Sequence, residues 1–204
     1  CHHRGPKRAG ERTGQRGAAL IMAANGDRGE ITFVLGGARS GKSSLGEAII
    51  ARQKRDAVYI ATAQAHDDEM RQRIAAHRKQ RLDSGQSWQT QEIPLELAAS
   101  LPVLLVSEVP ILIDCLTLWL SNIMLAERDT EAEIQALAAA LPLARAPVVL
   151  VSNETGLGIV PENALERRFR DYSGIMNKEI ATLADNVLFV AAGLPLVMKG
   201  RNPA

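Results

Sequence analysis

Aromatic side chains make up only 3% of the 204 residues, and cysteine occurs twice, at Cys1 and Cys115. Two cysteines so far apart supply neither a disulfide framework nor a CxxC metal pair, which excludes stapled secreted folds and fits a reducing, cytoplasmic setting. An excess of charge is also missing, since 24 Lys+Arg stand against 23 Asp+Glu. Single-stranded nucleic acid is usually gripped by positive charge combined with aromatic stacking, and this chain has little of either, so no nucleic-acid partner is expected. Long apolar runs are absent too. The longest, Ile111 to Ala126, is broken by Asp114 and falls short of the ~20 residues needed to cross a bilayer, so no membrane span is expected.

What charge there is lies unevenly. Residues 1–30 carry a net +3 and residues 31–204 a net −2. The first thirty residues are rich in Gly and Arg and show no apolar periodicity, which reads as a disordered basic leader or an over-extended start. From residue 31 onward short apolar strands alternate with amphipathic helices, and we expect a single nucleotide-binding catalytic domain over 31–204. Strands are predicted at 31–35, 58–61, just after Trp88, 111–114, 148–151, 187–190 and 196–198. Helices are predicted at 42–54, 66–83, 94–101, 116–126, 130–140 and 162–184. All-apolar strands separated by helices describe a three-layer α/β fold with a mostly parallel sheet.

The segment Gly36-Gly37-Ala38-Arg39-Ser40-Gly41-Lys42-Ser43 follows the first strand and opens a helix, the context that a G-x-x-x-x-G-K-S phosphate loop requires. The glycines let backbone N–H groups wrap phosphate oxygens, Lys42 reaches the β- and γ-phosphates, and the Ser43 hydroxyl is a Mg²⁺ ligand. The fold expected is therefore P-loop NTPase-like, of the RecA-like kind, with a nucleoside triphosphate as its ligand. Asp114, ending the apolar run Ile111 to Ile113, is the candidate acidic partner for the metal; an Asp there can also simply cap the next helix. Glu154, just past the strand at 148–151, is a further candidate for the nucleotide site, at the carboxyl edge where open α/β sheets bind ligands.

Arg73, His77 and Arg81 recur at i, i+4 and i+8 in a strongly charged segment. Such a run is ordinarily a solvated basic face. The alternative is a histidine kept neutral and nucleophilic among cations that neutralise phosphate. His66, beside two aspartates, is a weaker candidate.

Four segments together, GGARSGKS (36–43), VYIATAQAHDDEMRQRIAAHRKQR (58–81), ILIDCLTLWLSN (111–122) and VSNETGLGIVPENALERRFRDYSGIMN (151–177), resemble the bifunctional adenosylcobinamide kinase/adenosylcobinamide-phosphate guanylyltransferase family. The resemblance runs from about residue 31 to 199. It implies phosphorylation of adenosylcobinamide with ATP or GTP, then transfer of GMP from GTP through a covalent GMP-histidine. The family's R-I-x-x-H-[KR] stretch matches Arg73-Ile74-Ala75-Ala76-His77-Arg78, so the resemblance gives His77 the nucleophile's role, with Lys42 and Asp114 as its catalytic companions. It also implies a corrinoid substrate and a homotrimer. The leader, the Ala-Gln-Ala-His at 63–66 and the short, aromatic-poor middle depart from the family's pattern and bear on substrate contacts. A P-loop kinase of another small molecule, without guanylyl transfer, is the competing enzymatic reading; a nucleotide switch is the non-enzymatic one.

Overall fold

A computed structural model describes residues 28–64 and 85–204, together with Asp68, Arg71, Gln72, Ala75, Arg78, Lys79 and Arg81. Seven strands form one sheet: β1 (Ile31–Gly36), β2 (Ala57–Ala61), β3 (Trp88–Glu92), β4 (Ile111–Asp114), β5 (Val148–Asn153), β6 (Asn186–Ala191) and β7 (Leu194–Lys199). Among the described residues five α-helices accompany them: α1 (Lys42–Ala51), α2 (Leu97–Leu105), α3 (Leu116–Leu125), α4 (Thr130–Ala140) and α5 (Ala164–Leu183). The strand order is β3-β2-β4-β5-β1-β6-β7, parallel throughout except for β7, which pairs antiparallel to β6.

The strands are apolar at consecutive positions because both faces of the sheet are covered. Ile31, Phe33 and Leu35 of β1 point into the larger core with α2 to α5, while Val34 belongs to a second core on the other face with Ile49 and Ile50 of α1. The expected three layers are present. Gly46 shows how closely α1 lies on the sheet: a Cβ there would stand 3.0 Å from Leu112 and 3.3 Å from Val151.

Several sequence-predicted elements have different bounds, α2 and β7 among them. The helix expected over 94–101 begins at Leu97. It continues to Leu105 with Pro102 inside it, because Leu101 and Leu105 are both fully buried and the packing of that face outweighs a local cost of about 3 kcal/mol. The last strand is longer than expected, and every one of its residues is exposed. The residues leading into β1 are bound as well: Arg28 pairs with Asp185 at 2.7 Å, and the Gly29 N–H donates to Ala144 O at 2.8 Å.

Trp119 is the largest fully buried side chain, and its indole N–H donates to Leu95 O at 3.1 Å. Trp119→Ala is expected to lower unfolding free energy by about 3–5 kcal/mol in urea titrations. Val103→Ala, at a position 76% exposed, should change it by less than about 0.5 kcal/mol.

Candidate active site

The turn from β1 into α1 is built for close approach. Gly36 has φ 153°, and a Cβ on it would meet Val190 O at 2.3 Å, so β6 leaves room only for glycine. Gly41, the residue before the helix, has φ 100°, and Arg39 adopts a left-handed φ of 56°. No side chain caps α1. A helix N-terminus without a side-chain cap is the arrangement that binds phosphate. Ser40 Oγ is buried without a hydrogen-bond partner, a second polar group left for a ligand. The hairpin between β6 and β7 braces the loop, with Gly193 N donating to Ser40 O at 2.9 Å.

A cleft of about 490 Å³ opens above this turn and is lined by residues 38–43 together with Asp114, Asn153, Arg78 and Arg81, among others. Lys42 is 6% exposed, and its ammonium donates to Gly37 O at 2.5 Å. Burial pulls its pKa below the ordinary value of 10.5, opposed by the neighbouring Cys115 and Asp114. Asp114 ends β4, and its Oδ2 accepts a hydrogen bond from Tyr59 at 3.0 Å. Burial and the Asp114 charge hold the Tyr59 phenol far above its usual range, so it stays a donor. The thiol of Cys115, buried and next to Asp114, is pushed up to about 12 and is no nucleophile at neutral pH.

The wall beside β2 is cationic. The Arg81 guanidinium lies 3.6 Å above the centre of the Tyr59 ring and 3.8 Å from Glu47 of α1. Burial pushes the Glu47 carboxyl up, Arg81 pulls it down, and Asp114 pushes it up again. Arg78 pairs with Glu92 at the end of β3. Arg78 and Arg81 are the described members of the charged helical segment that touch this cleft. His77, the candidate nucleophile, lies outside the described residues, as do Arg73 and His66.

Of the sequence-predicted residues, Ala38 to Ser43 and Asp114 meet in the cleft, with Gly36 and Gly37 at the base of the turn. Glu154 is placed behind the loop: its N–H donates to Gly36 O at 3.0 Å, and its carboxylate accepts from Gly156 N at 2.5 Å. The polar residue of β5 that lines the cleft is its neighbour Asn153, which sequence reasoning passed over. A strand's alternation decides between adjacent residues, and an all-apolar strand offers no alternation from which to read it.

A sequence model of the family described as cobinamide kinase / cobinamide phosphate guanyltransferase matches residues 32–198. The chain belongs to this family. It is 46% identical over 170 residues to the bifunctional adenosylcobalamin biosynthesis protein CobP of Pseudomonas aeruginosa, covering 82% of this chain and 96% of that protein. It is 40% and 38% identical over 182 residues to the bifunctional adenosylcobalamin biosynthesis proteins CobU of Salmonella typhimurium and Escherichia coli, covering 82% of this chain and 98% of each relative. The cobinamide kinase / guanyltransferase resemblance read from the four segments is thus borne out, and the family match spans the phosphate loop, Asp114 and the loop after β5.

The donor set suits magnesium. Ser43 and Asp114 offer a hydroxyl and a carboxylate oxygen, and among the described residues no group of three or more His, Cys, Asp or Glu could hold a metal by itself. Few protein oxygens, with phosphates and water completing the shell, is how Mg²⁺ binds beside nucleotides.

Because a buried charge without an ion pair costs stability, Lys42→Met should raise the melting temperature of the ligand-free protein by roughly 2–4 °C while nucleotide binding falls more than about tenfold. The depressed pKa gives the sign of the pH dependence. The wild type carries the cost in full at neutral pH and is relieved of it as pH rises from the folded pKa to 10.5, so the gap between the two proteins should close there in alkaline thermal melts.

Proposed function

We propose that this chain is a two-step enzyme of cobalamin biosynthesis. It phosphorylates the aminopropanol hydroxyl of adenosylcobinamide with ATP or GTP, then transfers GMP from GTP to that phosphate, giving adenosylcobinamide-GDP and pyrophosphate. The observation that carries the reading is the meeting of an uncapped helix N-terminus, the Lys42 ammonium, Ser43 and Asp114 in one cleft that also contains Arg78 and Arg81. The corrinoid half is supported by the family match and by the names of the relatives.

In the guanylyl step a ring nitrogen of His77 forms a bond to the α-phosphorus of GTP as the α–β bridging P–O bond breaks, and its electron pair leaves with pyrophosphate. An oxygen of adenosylcobinamide phosphate then bonds to the same phosphorus as the P–N bond breaks, returning the electron pair to His77. The N–H groups of the loop and Lys42 stabilise the departing pyrophosphate. Ser43 and Asp114 hold Mg²⁺, which when bound neutralises phosphate charge. Glu154 serves the nucleotide site as a brace on Gly36. Two cations near His77 in sequence, Arg78 and Arg81, line the cleft, which supports a nucleophile from this segment and an imidazole kept neutral.

In the kinase step the same loop presents the γ-phosphate to the substrate hydroxyl, so both reactions use one nucleotide platform. The homotrimer belongs to this proposal. It is supported by β7, an edge strand with Leu194, Leu196, Val197 and Met198 all exposed, a surface that a second copy would cover. A cytoplasmic location fits a cofactor-assembly enzyme, and among the described residues no helix is long and apolar enough to cross a membrane.

The test is to incubate wild type and His77→Ala with Mg²⁺ and GTP labelled at the α-phosphate, then denature and measure intact mass. An acid-labile GMP adduct on the wild type alone is expected. Folded, GTP-binding wild type that forms no adduct would leave a P-loop kinase without guanylyl transfer.

A further inference from the structure

Three buried side chains and the backbone of Asn153 close into a ring at the end of β5. The Asn153 N–H donates to Thr117 Oγ1 at 2.6 Å, and the Ser152 hydroxyl donates to Asn177 Oδ1 at 2.9 Å. Thr117 Oγ1 and Ser152 Oγ are 3.1 Å apart. Because Ser152 spends its single proton on a carbonyl oxygen, Thr117 must be the donor between the two hydroxyls. The Asn177 amide then completes the circuit by donating to Asn153 O at 3.2 Å. Every donor in the ring points the same way round, and Ser152, Thr117 and Asn177 are all buried.

What this ring holds is the backbone of Asn153, gripped at both its N–H and its C=O by side chains from α3 and α5. Such networks rigidify the position they surround, because each member loses a partner if any one moves. The Asn153 side chain is not part of the ring. It lines the cleft and makes no hydrogen bond to any described residue. Asn153 is paired in register with Gly36 of the phosphate loop, and β5 lies between β1 and β4, the strand that ends in Asp114.

We propose that Asn153 binds the terminal phosphoryl group of the nucleoside triphosphate, its amide Nδ2–H donating to a γ-phosphate oxygen. The inference rests on the nucleotide reading of the phosphate loop and goes beyond it by naming the group that distinguishes triphosphate from diphosphate. The loop N–H groups and Lys42 occupy the Gly36 side of the floor, and Asp114 ends the strand on the other. A ligand anchored on the loop and extending toward Asp114 crosses the end of β5, where the Asn153 side chain lines the cleft on its fixed backbone. A neutral amide suits the place: it donates to an anion without bringing a charge that would neutralise Asp114 or repel Lys42.

The experiment is equilibrium titration of the full chain with GTP, supplied as its α,β-methylene analogue that cannot lose pyrophosphate, and with GDP, each in the presence of Mg²⁺, for wild type, Asn153→Ala and Asn153→Asp. Losing one hydrogen bond to a charged oxygen should raise the Kd for GTP about tenfold in Asn153→Ala and the Kd for GDP less than about twofold. Asn153→Asp keeps the side chain's shape and the backbone ring but sets a carboxylate against the phosphate, so its GTP affinity should fall further than that of the alanine variant. Equal changes for GTP and GDP, or none, in either variant would overturn the proposal. If the wild type binds neither nucleotide, the phosphate-loop reading itself is what fails.

Discussion

An ammonium group held almost out of water, with one carbonyl as its hydrogen-bond partner and no ion pair among the described residues, is the constraint on which the site depends. Isolated, Lys42 is unfavourable: burial depresses its pKa, and the attraction of Asp114 offsets that only in part. The surrounding backbone keeps it there. Val190 O closes the space beside Gly36, the Gly193 N–H holds Ser40 O, and the left-handed turn at Gly41 directs the chain into α1 with no side chain capping the helix. The same features that destabilise the empty cleft become favourable when a polyanion fills it. A ligand would satisfy the orphaned Ser40 hydroxyl, the uncapped helix end and the ammonium at once.

The floor and the wall of the cleft are fixed by different physics. The end of β5 is set by neutral groups, hydroxyls and amides arranged so that each donor finds an acceptor and no net charge is added. The wall is set by ions. Arg81 is almost fully buried between the Tyr59 ring and the Glu47 carboxylate, and burial of such a pair is tolerated because the ring face and the opposite charge both replace lost water. The difference suits the tasks proposed for each. A floor that contacts phosphate must not change its charge as nucleotide arrives and leaves, whereas the wall must keep positive charge beside the polyanion.

Much of this was legible in the sequence, and what was not has particular causes. The phosphate loop was readable because its glycines, Lys42 and Ser43 stand at fixed intervals between a strand and a helix. Asp114 was readable because it is the one charge in an apolar run. Asn153 was not, because Ser152, Asn153 and Glu154 are three polar residues in a row after an all-apolar strand, and only the register with Gly36 decides which faces the cleft. Glu154 is the most strongly polar of the three, and its carboxylate goes to the Gly156 N–H instead. The end of α2 was missed for a different reason: the helix runs through Pro102 because Leu101 and Leu105 are both buried, and no local rule can see that burial. The exposure of β7 was hidden too, since an apolar edge strand reads like an apolar central one.

One chain of contacts links the two chemistries assigned to the cleft. Arg81 lies four residues after His77 in sequence, sits on the Tyr59 ring, and Tyr59 donates to Asp114 Oδ2. One Asp114 oxygen is thereby engaged from the side of β2, which fixes the carboxylate's rotation and leaves the other oxygen for a metal. The segment that carries the proposed nucleophile is tied through Arg81 to the ring that orients the proposed metal ligand. A displacement of Arg81 would uncover the Tyr59 ring, whose hydroxyl holds Asp114. For an enzyme that uses one nucleotide platform for two transfers, this has a direct consequence. The position of Arg81 and the setting of the proposed metal ligand are thus linked through one phenol, and a nucleotide seated for either proposed transfer meets the same Asp114 carboxylate.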